Sequence, residues 1–502
     1  MKPDVYSHKA VPSYSLPDPS AHFLASEDAL YDYGNLYGFT RWFREEYNSR
    51  SISRRPVVIL SDSSDQQVFV IAACWLLGIP FAPLSQGQPT NELIDQIRYL
   101  DPGIVICTPG NRNKLEEFSS LALTIYQKQL TPKSKENSSS FADHSPEKIM
   151  GYFSTSGSTT KPKIVPVKRR QLCYAAFASE QNFKPDRDHY WLLCLPLNHI
   201  GGVSIILRSI LYGSAIYRMD NFEENQVLNF LSENKLVQVA SLVPTMLHRL
   251  LLHSRFQAHL DLKAILLGGG RISPALIQNS IERGLPVVQS YGMTETCAQI
   301  AANLLLQPKG IYIPKKSVGH LFSPNQIQIR GNENQPLKMN ESGVIWLKGP
   351  QVFDGYLDNK QNREAFDDQG WFNTGDYGHL NSFGHLFIET RRSDLIVTGG
   401  ENVNPDDVES ALESLGEIGQ AAVFGIQDEE WGEKIIAFIE PSGLHNNIAS
   451  AKLKQQLQEL LPSFKIPKEI YTVDNLPRTE SGKIKRRDLK RLYFKMTSSQ
   501  SA

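Results

Sequence analysis

Residues 57–107 read VVILSDSSDQQVFVIAACWLLGIPFAPLSQGQPTNELIDQIRYLDPGIVIC, and short apolar runs alternate with helical patterns along them. The first run, VVIL, is typical of a buried strand, and residues 66–77 are typical of a helix. A second strand follows around 80–84, then a helix over 91–100 and a third strand, IVIC. Strands that alternate with helices favour a parallel sheet covered by helices. The expected fold class is therefore α/β.

The length and the changes of pattern along the chain predict two domains. At 502 residues, the chain exceeds what one hydrophobic core usually covers. Residues 317–387 are glycine-punctuated and β-rich, which indicates a small β subdomain at about 317–390. A last segment has its own strand and helix pattern and a size that can fold alone. We expect a large N-terminal domain over 1–390, with αβ-layered sheets, and a smaller α+β C-terminal domain over 391–502.

Composition excludes several classes of function. Hydrophobic residues make up 41% of the chain, charged residues make up 21%, and the net charge is -1, so no basic footprint for nucleic acid or an anionic membrane is present. The five cysteines are widely spaced without a metal-binding pattern, so we expect them reduced and buried. No signal peptide or stretch of about 20 apolar residues is found. The sequence predicts a cytoplasmic enzyme with no nucleic-acid partner and no integral membrane segment.

The strongest local signal for chemistry is FSTSGSTTKPK, residues 153–163. It contains six hydroxyl residues, one glycine and two lysines. Such a loop can offer backbone N–H groups, hydroxyls and ammonium charge to a polyphosphate. It is not a Walker A loop, because GxxxxGK[ST] is absent. Taken alone, its composition fits a phosphate-binding loop and a Ser/Thr-rich surface turn about equally well.

Seven short motifs in a fixed order decide between these interpretations. They are TSGST at 155–159 with PK at 162–163, LPLNH at 195–199, GGG at 268–270, YGMTE at 291–295, TGD at 374–376, RRSDLI at 391–396 with GGEN at 399–402, and PRTESGK at 477–483. A sequence with this set resembles the adenylate-forming superfamily of acyl-CoA synthetases, luciferases and adenylation domains. The resemblance runs from about residue 57 to 486, nearly the whole chain.

The resemblance implies that the chain binds ATP and Mg2+. The loop 155–163 would hold the β- and γ-phosphates, with Thr159 also near Mg2+. The Tyr291 ring would face adenine, Thr294 would donate to the α-phosphate, and Glu295 would give Mg2+ a hard oxygen ligand. The residues assigned in this way to nucleotide or coenzyme A binding are Thr155, Ser156, Gly157, Ser158, Thr159, Lys163, Gly268, Gly269, Gly270, Tyr291, Gly292, Met293, Asp376, Arg391, Gly399 and Gly400.

The resemblance also implies which side chains contact the ribose and the reacting groups. Asp376 would accept from both ribose hydroxyls, since a carboxylate has two oxygens for two donors, and Arg391 would add a second ribose contact. Lys483 would reach the attacking carboxylate and the α-phosphate as negative charge builds there. His199 would line the acyl pocket, although a satisfied core histidine is the alternative interpretation. The implied catalytic residues are Lys483, Glu295, Thr294 and His199, and the implied metal ligands are Thr159 and Glu295.

The implied chemistry has two steps, and it needs two positions of the C-terminal domain. In proteins with these motifs the small domain rotates at the junction 391–394, and here Ser393 and Asp394 are the expected hinge. Rotation would bring Gly399 and Gly400 over the pantetheine tunnel, where glycine permits close approach of the backbone. The C-terminal domain is therefore expected to be mobile, with coenzyme A as the co-substrate.

Within the superfamily, the chain most resembles the o-succinylbenzoate:CoA ligases of menaquinone biosynthesis. The likeness lies in residues 195–217, 241–251 and 264–300. It implies that 2-succinylbenzoate is activated as an acyl-adenylate, with release of pyrophosphate, and is then transferred to coenzyme A. The alternatives are another aryl- or fatty-acyl-CoA ligase and a catalytically silent nucleotide- or acyl-binding protein. An amino-acid adenylation domain is disfavoured, because residues 195–202 contain no aspartate for an α-amine.

The chain departs from the pattern of the superfamily at several positions. Thr160, Ile164 and Thr390 stand where glycine is usual, which reduces backbone freedom. Asn198 and Gly201 replace a more typical aromatic residue and serine in the histidine motif. The first group of substitutions favours the silent binding protein, and the second bears on the identity of the acid.

Overall fold

The structure is a computed structural model that describes most of the chain. The described residues are 14–50, 55–61, 64–134, 145–155, 163–254, 256–270, 272–303, 316–331, 333–391, 396–398, 401–428, 431–442, 449–479 and 482–498. Strands and helices are numbered separately in chain order.

The strands of the described residues are β1 His22–Ala25, β2 Leu30–Asp32, β3 Val57–Ser61, β4 Phe81–Ser85, β5 Ile104–Ile106, β6 Ala122–Leu123, β7 Ile149–Thr155, β8 Lys163–Lys168, β9 Tyr190–Leu193, β10 Ala215–Arg218, β11 Val237–Leu242, β12 Ala264–Leu267, β13 Val287–Met293, β14 Ala298–Ala302, β15 His320–Leu321, β16 Gln326–Arg330, β17 Gly343–Lys348, β18 Phe372–Leu380, β19 Leu386–Arg391, β20 Ile396–Thr398, β21 Glu401–Val403, β22 Ile418–Asp428, β23 Gly432–Pro441 and β24 Glu469–Thr472.

The α-helices of the same residues are α1 Tyr33–Ser49, α2 Asp65–Leu77, α3 Thr90–Leu100, α4 Arg169–Phe183, α5 Ile200–Tyr212, α6 Glu224–Glu233, α7 Pro244–Leu252, α8 Pro274–Glu282, α9 Asn362–Ala365, α10 Pro405–Glu413, α11 Ser450–Leu460 and α12 Arg486–Ser498.

The stretch 57–107 forms the alternating unit that its pattern predicts. β3 pairs in parallel with β4 on one side and β5 on the other, and α2 and α3 make the connections. These strands belong to a six-stranded sheet with the order β6-β5-β3-β4-β7-β8, in which β8 is antiparallel. Most residues of α2 are buried, which explains why this helix is apolar all round rather than on one face.

A nine-stranded sheet faces the first one across a shared layer of helices. Its order is β15-β14-β13-β12-β11-β9-β10-β1-β2, with a parallel centre and antiparallel edges. One hydrophobic cluster contains residues of both sheets and of α1, α2, α4 and α5, so these helices fill the space between the sheets. This arrangement confirms the α/β fold class, with αβ-layered sheets in the large N-terminal part of the chain.

Two smaller sheets follow. β16 to β19 form a four-stranded antiparallel sheet in the region where the sequence predicts a β subdomain. The C-terminal lobe, residues 396–498, has a five-stranded sheet with α10 and α11 packed in one hydrophobic cluster and α12 in another. This lobe is a smaller α+β unit with its own core, as expected. The domain limits 1–390 and 391–502 remain our proposal, since β19 runs across them.

Two further expectations concern cysteines and membranes. All five cysteines are buried and reduced, and burial raises the pKa of the Cys194 thiol to about 12. Among the described helices, none has the length and apolar character that crossing a membrane requires.

Candidate active site

One cavity of about 1080 Å3 collects residues from six of the seven motifs. Its walls come from the carboxyl ends of parallel strands in the nine-stranded sheet, from the ends of the phosphate loop and from the C-terminal lobe. Crevices at the carboxyl ends of strands are the usual binding places in open α/β sheets. The predicted site residues that line it are Thr155, Lys163, His199, Gly268, Gly269, Gly292, Met293, Thr294, Glu295, Asp376 and Lys483.

The remaining predicted residues have different positions. Gly270 follows Gly269 but does not line the cavity. Arg391 is described by its backbone, which pairs with Asp376 across β18 and β19. The others lie outside the described residues, so their assignments stay predictions: Ser156, Gly157, Ser158, Thr159, Thr160, Ser393, Asp394, Gly399 and Gly400.

Glu295 sits in a short turn directly after β13. A Cβ atom on Gly292 would lie 1.8 Å from the carbonyl oxygen of Ala298, so only glycine allows the two backbone segments to approach this closely. The Glu295 side chain is 9% exposed, and its Oε1 accepts a hydrogen bond of 2.8 Å from the Tyr356 hydroxyl. The ammonium group of Lys163 lies 4.7 Å from the centre of the Tyr356 ring. A carboxylate and an ammonium group therefore face the same part of the cavity.

Asp376 is held by a second tyrosine. The hydroxyl of Tyr291 donates to Asp376 Oδ2 at 2.7 Å, and the Asp376 backbone N–H donates to Thr374 Oγ1 at 3.1 Å. Asp376 lines the cavity, whereas the Tyr291 side chain is 8% exposed and does not line it. The structure thus shows Tyr291 orienting Asp376, and the predicted contact of its ring with adenine stays a prediction.

Lys483 is carried into the cavity by a tight hairpin of the C-terminal lobe. Arg478 and Ile484 form a β-bridge at its base, and Gly482 has a φ of +79° in the turn. The Thr479 N–H donates to the Lys483 carbonyl at 2.7 Å, and the Lys483 N–H donates to Thr479 Oγ1 at 3.0 Å. The hairpin thereby fixes the backbone that presents Lys483.

The tip of this hairpin touches the N-terminal part of the chain. Thr245 Oγ1 donates to the Gly482 carbonyl at 3.4 Å, and a Cβ atom on Gly482 would lie 2.6 Å from that hydroxyl. The lobes are therefore arranged so that Lys483 shares one cavity with Thr155 and Glu295.

Comparison with known proteins adds the deciding observation. Residues 51–357 match the family described as AMP-binding enzyme, and residues 407–483 match the AMP-binding enzyme C-terminal domain. The chain belongs to the AMP-binding enzyme family. The family match covers both the large sheets and the lobe that carries Lys483.

This AMP-binding enzyme has well-matched relatives. It is 31% identical to 2-succinylbenzoate--CoA ligase of Bacillus subtilis, over 94% of the chain and 95% of that protein. It is 32% identical to the ligase of the same name from Enterococcus faecalis, over 94% of each. A solved o-succinylbenzoate CoA synthetase from Bacillus subtilis, in complex with the acyl-adenylate intermediate OSB-AMP, has a TM-score of 0.83 at 30% identity, covering 94% of this chain and 96% of that one. ATP-bound MatB from Rhodopseudomonas palustris, at 23% identity and a TM-score of 0.87, shares the fold and covers 95% of this chain and 97% of its own.

The cavity of this AMP-binding enzyme also contains a buried cation that the sequence analysis missed. Arg208 of α5 lines the cavity and is 2% exposed. Its Nη1 donates to Ser204 Oγ at 3.2 Å, while Nε and Nη2 have no hydrogen-bond partner among the described residues. Burial lowers the pKa of Arg208. An arginine inside the otherwise apolar helix IGGVSIILRSILY was the signal available in the sequence.

Gln299 of β14 is a second missed residue of the same cavity. It is 4% exposed, and neither its Oε1 nor its Nε2 has a hydrogen-bond partner in the described part of the chain. Buried polar groups are nearly always paired, and both residues line the cavity, so they are candidate contacts for a polar ligand. The sequence YGMTETCAQIAA, residues 291–302, is typical of a strand that follows the YGMTE motif, and its pattern does not indicate that Gln299 lines a cavity.

The residues present fit Mg2+ bound together with a nucleotide. Among the described residues, no group of three or more His, Cys, Asp or Glu side chains is arranged to hold a metal ion. Mg2+ usually takes one or two carboxylates and completes its shell with phosphate oxygens and water. Glu295, a buried carboxylate that faces the cavity, offers the one protein ligand which that mode requires.

Proposed function

We propose that this AMP-binding enzyme is an ATP-dependent acid:CoA ligase that converts 2-succinylbenzoate to 2-succinylbenzoyl-CoA, a step of menaquinone biosynthesis. The first half-reaction forms the acyl-adenylate and releases pyrophosphate, and the second forms the thioester with coenzyme A. The observation that carries the reaction type is the single cavity lined by Thr155, Lys163, Glu295, Asp376 and Lys483. The relatives that match nearly the whole chain support the choice of acid.

In the first half-reaction, the side chains of the cavity bind and orient the nucleotide. Asp376, held by Tyr291, accepts hydrogen bonds from the ribose hydroxyls, and the Thr294 hydroxyl donates to the α-phosphate. The ammonium groups of Lys163 and Lys483 approach the phosphates from two sides. Positive charge already in place is most effective where negative charge develops in the transition state. Holding the acid carboxylate in line with the α-phosphorus accelerates the step further.

Glu295 would hold Mg2+ in the same cavity. When bound, Mg2+ neutralises phosphate charge and makes pyrophosphate a better leaving group. The metal assignments of Glu295 and Thr159 are part of our proposal, and Thr159 lies outside the described residues.

Arg208 supports a diacid as the substrate. One carboxylate of 2-succinylbenzoate is activated, and the second stays negatively charged in the acyl part of the cavity. Taking an unpaired guanidinium out of water costs several kcal/mol. A carboxylate offsets this cost, since its two oxygens match the two nitrogens without a partner among the described residues, Nε and Nη2. A fatty acid would leave this charge buried without a counter-ion.

Gln299 supports the same acid in a different way. Besides its two carboxylates, 2-succinylbenzoate has a neutral ketone oxygen. The arginine is best matched to the carboxylate, so the neutral amide of Gln299 is the partner for the ketone. The cavity also has apolar side chains and backbone that leave room for an aryl ring, namely Leu195, Ile200, Leu242, Val243, Leu266 and Gly268.

We also propose that the second half-reaction follows rotation of the C-terminal domain. In the present arrangement of the two lobes, Lys483 lines the cavity. The thiol of coenzyme A would need the same position, so the second half-reaction requires a different arrangement of the lobes. The expected hinge at Ser393 and Asp394, and the glycines 399 and 400, lie outside the described residues. A cytoplasmic location and the lack of a nucleic-acid partner likewise remain predictions.

A screen of acids with ATP and coenzyme A tests the choice of acid. Useful acids are 2-succinylbenzoate, two monoacids that each lack one of its carboxylates (2-butanoylbenzoate and 4-oxo-4-phenylbutanoate), and decanoate. Either monoacid keeps one reactive carboxylate, so the comparison holds whichever one is activated. We expect kcat/KM for the diacid to exceed that for each monoacid by about tenfold or more, the contribution of a hydrogen bond to a charged group.

Other outcomes of the screen favour the alternatives. A preference for decanoate or for a monoacid would show that the enzyme is a different acyl-CoA ligase. Failure to turn over any acid, with ATP still bound, would identify a silent nucleotide-binding protein, as the substitutions Thr160 and Ile164 suggest. Ile164 itself is a buried residue of β8 that packs in the hydrophobic cluster of the first sheet, so its side chain contributes to the core at that point.

A further inference from the structure

Tyr356 joins the two charged groups that face the phosphate side of the cavity. Its hydroxyl donates to Glu295 Oε1 at 2.8 Å, and its ring lies under the Lys163 ammonium group at 4.7 Å. All three side chains line the cavity, and Tyr356 is 7% exposed. We infer that Tyr356 is a positioning residue for the nucleotide–Mg2+ complex: its hydroxyl orients the Glu295 carboxylate toward the metal, and its ring holds the Lys163 ammonium group.

The hydroxyl of Tyr356 acts on the orientation of Glu295. A carboxylate that rotates freely presents its oxygens in many directions. A hydrogen bond to Oε1 fixes the plane of the group and leaves Oε2 for a cation. Groups that hydrogen-bond a metal-binding carboxylate typically change metal affinity 10- to 100-fold when they are removed.

The ring of Tyr356 acts on Lys163. An ammonium group over an aromatic face is attracted by the ring electrons. Lys163 lies over the face of the ring and Glu295 is bonded at its hydroxyl edge, so Tyr356 gives the two charged groups separate contacts. Lys163 is thereby kept for phosphate oxygens, and Glu295 is kept for the cation.

The segment that carries Tyr356 is clamped to the same structural unit as Lys163. Lys163 begins β8, and α4 follows this strand directly. Arg170, at the start of α4, binds both oxygens of Asp354 at 2.6 and 2.7 Å and donates to the Pro350 carbonyl at 3.0 Å. These bonds tie the position of the tyrosine to that of the lysine.

A side chain on the C-terminal side of Tyr356 completes the clamp. Asn362 accepts from the Tyr356 N–H at 2.7 Å and donates to the Tyr356 carbonyl at 3.1 Å. The backbone of Tyr356 is therefore fixed from both directions, and a change of its side chain tests the hydroxyl and the ring rather than the loop.

Calorimetric binding of α,β-methylene-ATP, which cannot be cleaved at the reacting bond, tests the inference without turnover. The nucleotide is titrated with Mg2+ present and with EDTA. In Tyr356→Phe, the hydroxyl is lost and the ring remains, so we expect the gain in affinity from Mg2+ to fall about 10- to 100-fold while metal-free binding is unchanged. In Tyr356→Leu, the ring is lost as well, and metal-free binding should also weaken.

Tyr471→Phe is the matched control. The Tyr471 hydroxyl also donates to a glutamate, Glu469, but in the C-terminal lobe, and neither residue lines the cavity. We expect this variant to bind the nucleotide like the unchanged protein, with and without Mg2+.

The inference rests on the proposed function only for nucleotide and Mg2+, so the choice of acid cannot affect the result. A full Mg2+ gain in Tyr356→Phe would overturn it. An equal loss with Mg2+ and with EDTA would also overturn it, because that pattern belongs to a general structural role. If Tyr356→Phe is unstable, the same titrations on Tyr356→Leu, which also lacks the donor, serve instead: a reduced gain in affinity from Mg2+ supports the inference, and a full gain contradicts it.

Discussion

At the scale of single residues, Arg208 contributes most to the specificity we propose. Its guanidinium group is buried on α5, where it donates to Ser204 Oγ, lies near the Tyr212 hydroxyl and has its Cζ 5.5 Å from the centre of the Trp191 ring. A charge kept in such a place lowers the stability of the protein unless something binds it. A buried arginine in the wall of the cavity is explained if the substrate supplies the negative charge that pairs with it.

Replacing Arg208 separates diacid recognition from the reaction itself. In Arg208→Leu, we expect kcat/KM for 2-succinylbenzoate to fall about 10- to 100-fold, the effect of losing hydrogen bonds to a charged group. For whichever of the two monoacids the enzyme activates, kcat/KM should fall far less. The melting temperature should not fall, because an apolar side chain often replaces a buried charge without loss of stability.

Arg208→Lys is the control for charge alone. Lysine keeps the positive charge but not the planar fork of donors, so it should recover part of the lost activity. Equal losses for the diacid and for the reacting monoacid in Arg208→Leu would mean that Arg208 does not bind the second carboxylate.

At the scale of elements, the hairpin between Arg478 and Ile484 decides whether Lys483 reaches the cavity. Arg478 Nη2 donates to Glu440 Oε2 at 2.9 Å and to Gln420 Oε1 at 2.6 Å, which anchors the hairpin on β22 and β23. Its tip packs on Thr245 at the start of α7. The hairpin is therefore anchored to its own lobe through Arg478 and in contact with the other lobe through Gly482.

Gly482 is the sensitive point of this hairpin. Alanine there has an unfavourable positive φ, and its Cβ would lie 2.6 Å from Thr245 Oγ1 and 2.9 Å from Val243 Cγ2. We expect Gly482→Ala to slow adenylation about tenfold, from roughly 1–2 kcal/mol of strain, and to leave thioester formation from supplied acyl-adenylate nearly unchanged. Separate assays of the two half-reactions measure this difference.

Gly416→Ala is the matched control for the backbone effect. Gly416 has a φ of +69°, but a Cβ atom there meets nothing within 4 Å. This variant should lose stability, by about 1 kcal/mol, without a selective loss of adenylation. The same selective loss in both variants would show that contact with Thr245 is unimportant.

At the scale of the whole molecule, the sequence is most informative where a pattern is local. The alternating stretch 57–107 predicted β3, α2, β4, α3 and β5 to within one residue at most ends, because hydrophobic periodicity reports on local structure. The ordered motifs predicted the cavity residues Thr155, Glu295, Asp376 and Lys483 through their resemblance to a family, since spacing alone does not reveal which loops meet.

The residues that the sequence did not reveal depend on tertiary contacts. Arg208 and Gln299 lie in an apolar helix and an apolar strand, and only the folded chain turns them toward one cavity. Tyr356 stands 61 positions from the glutamate that it contacts, in a loop without a periodic pattern. The lone arginine of an apolar helix was a signal in the sequence, whereas the contacts of Gln299 and Tyr356 follow from the packing of elements and left none.

We propose that both parts of the chain complete one adenylation site. Replacement of Lys483 by alanine, with Lys485→Ala as the control outside the cavity, tests it most directly through the two half-reactions. We expect Lys483→Ala to lower acid-dependent pyrophosphate release about 100- to 1,000-fold, the usual effect of removing one preorganised group. Thioester formation from supplied acyl-adenylate should persist, and Lys485→Ala should retain both. Equal loss of the two half-reactions in Lys483→Ala, or normal pyrophosphate release, would show that Lys483 has no specific role in adenylation.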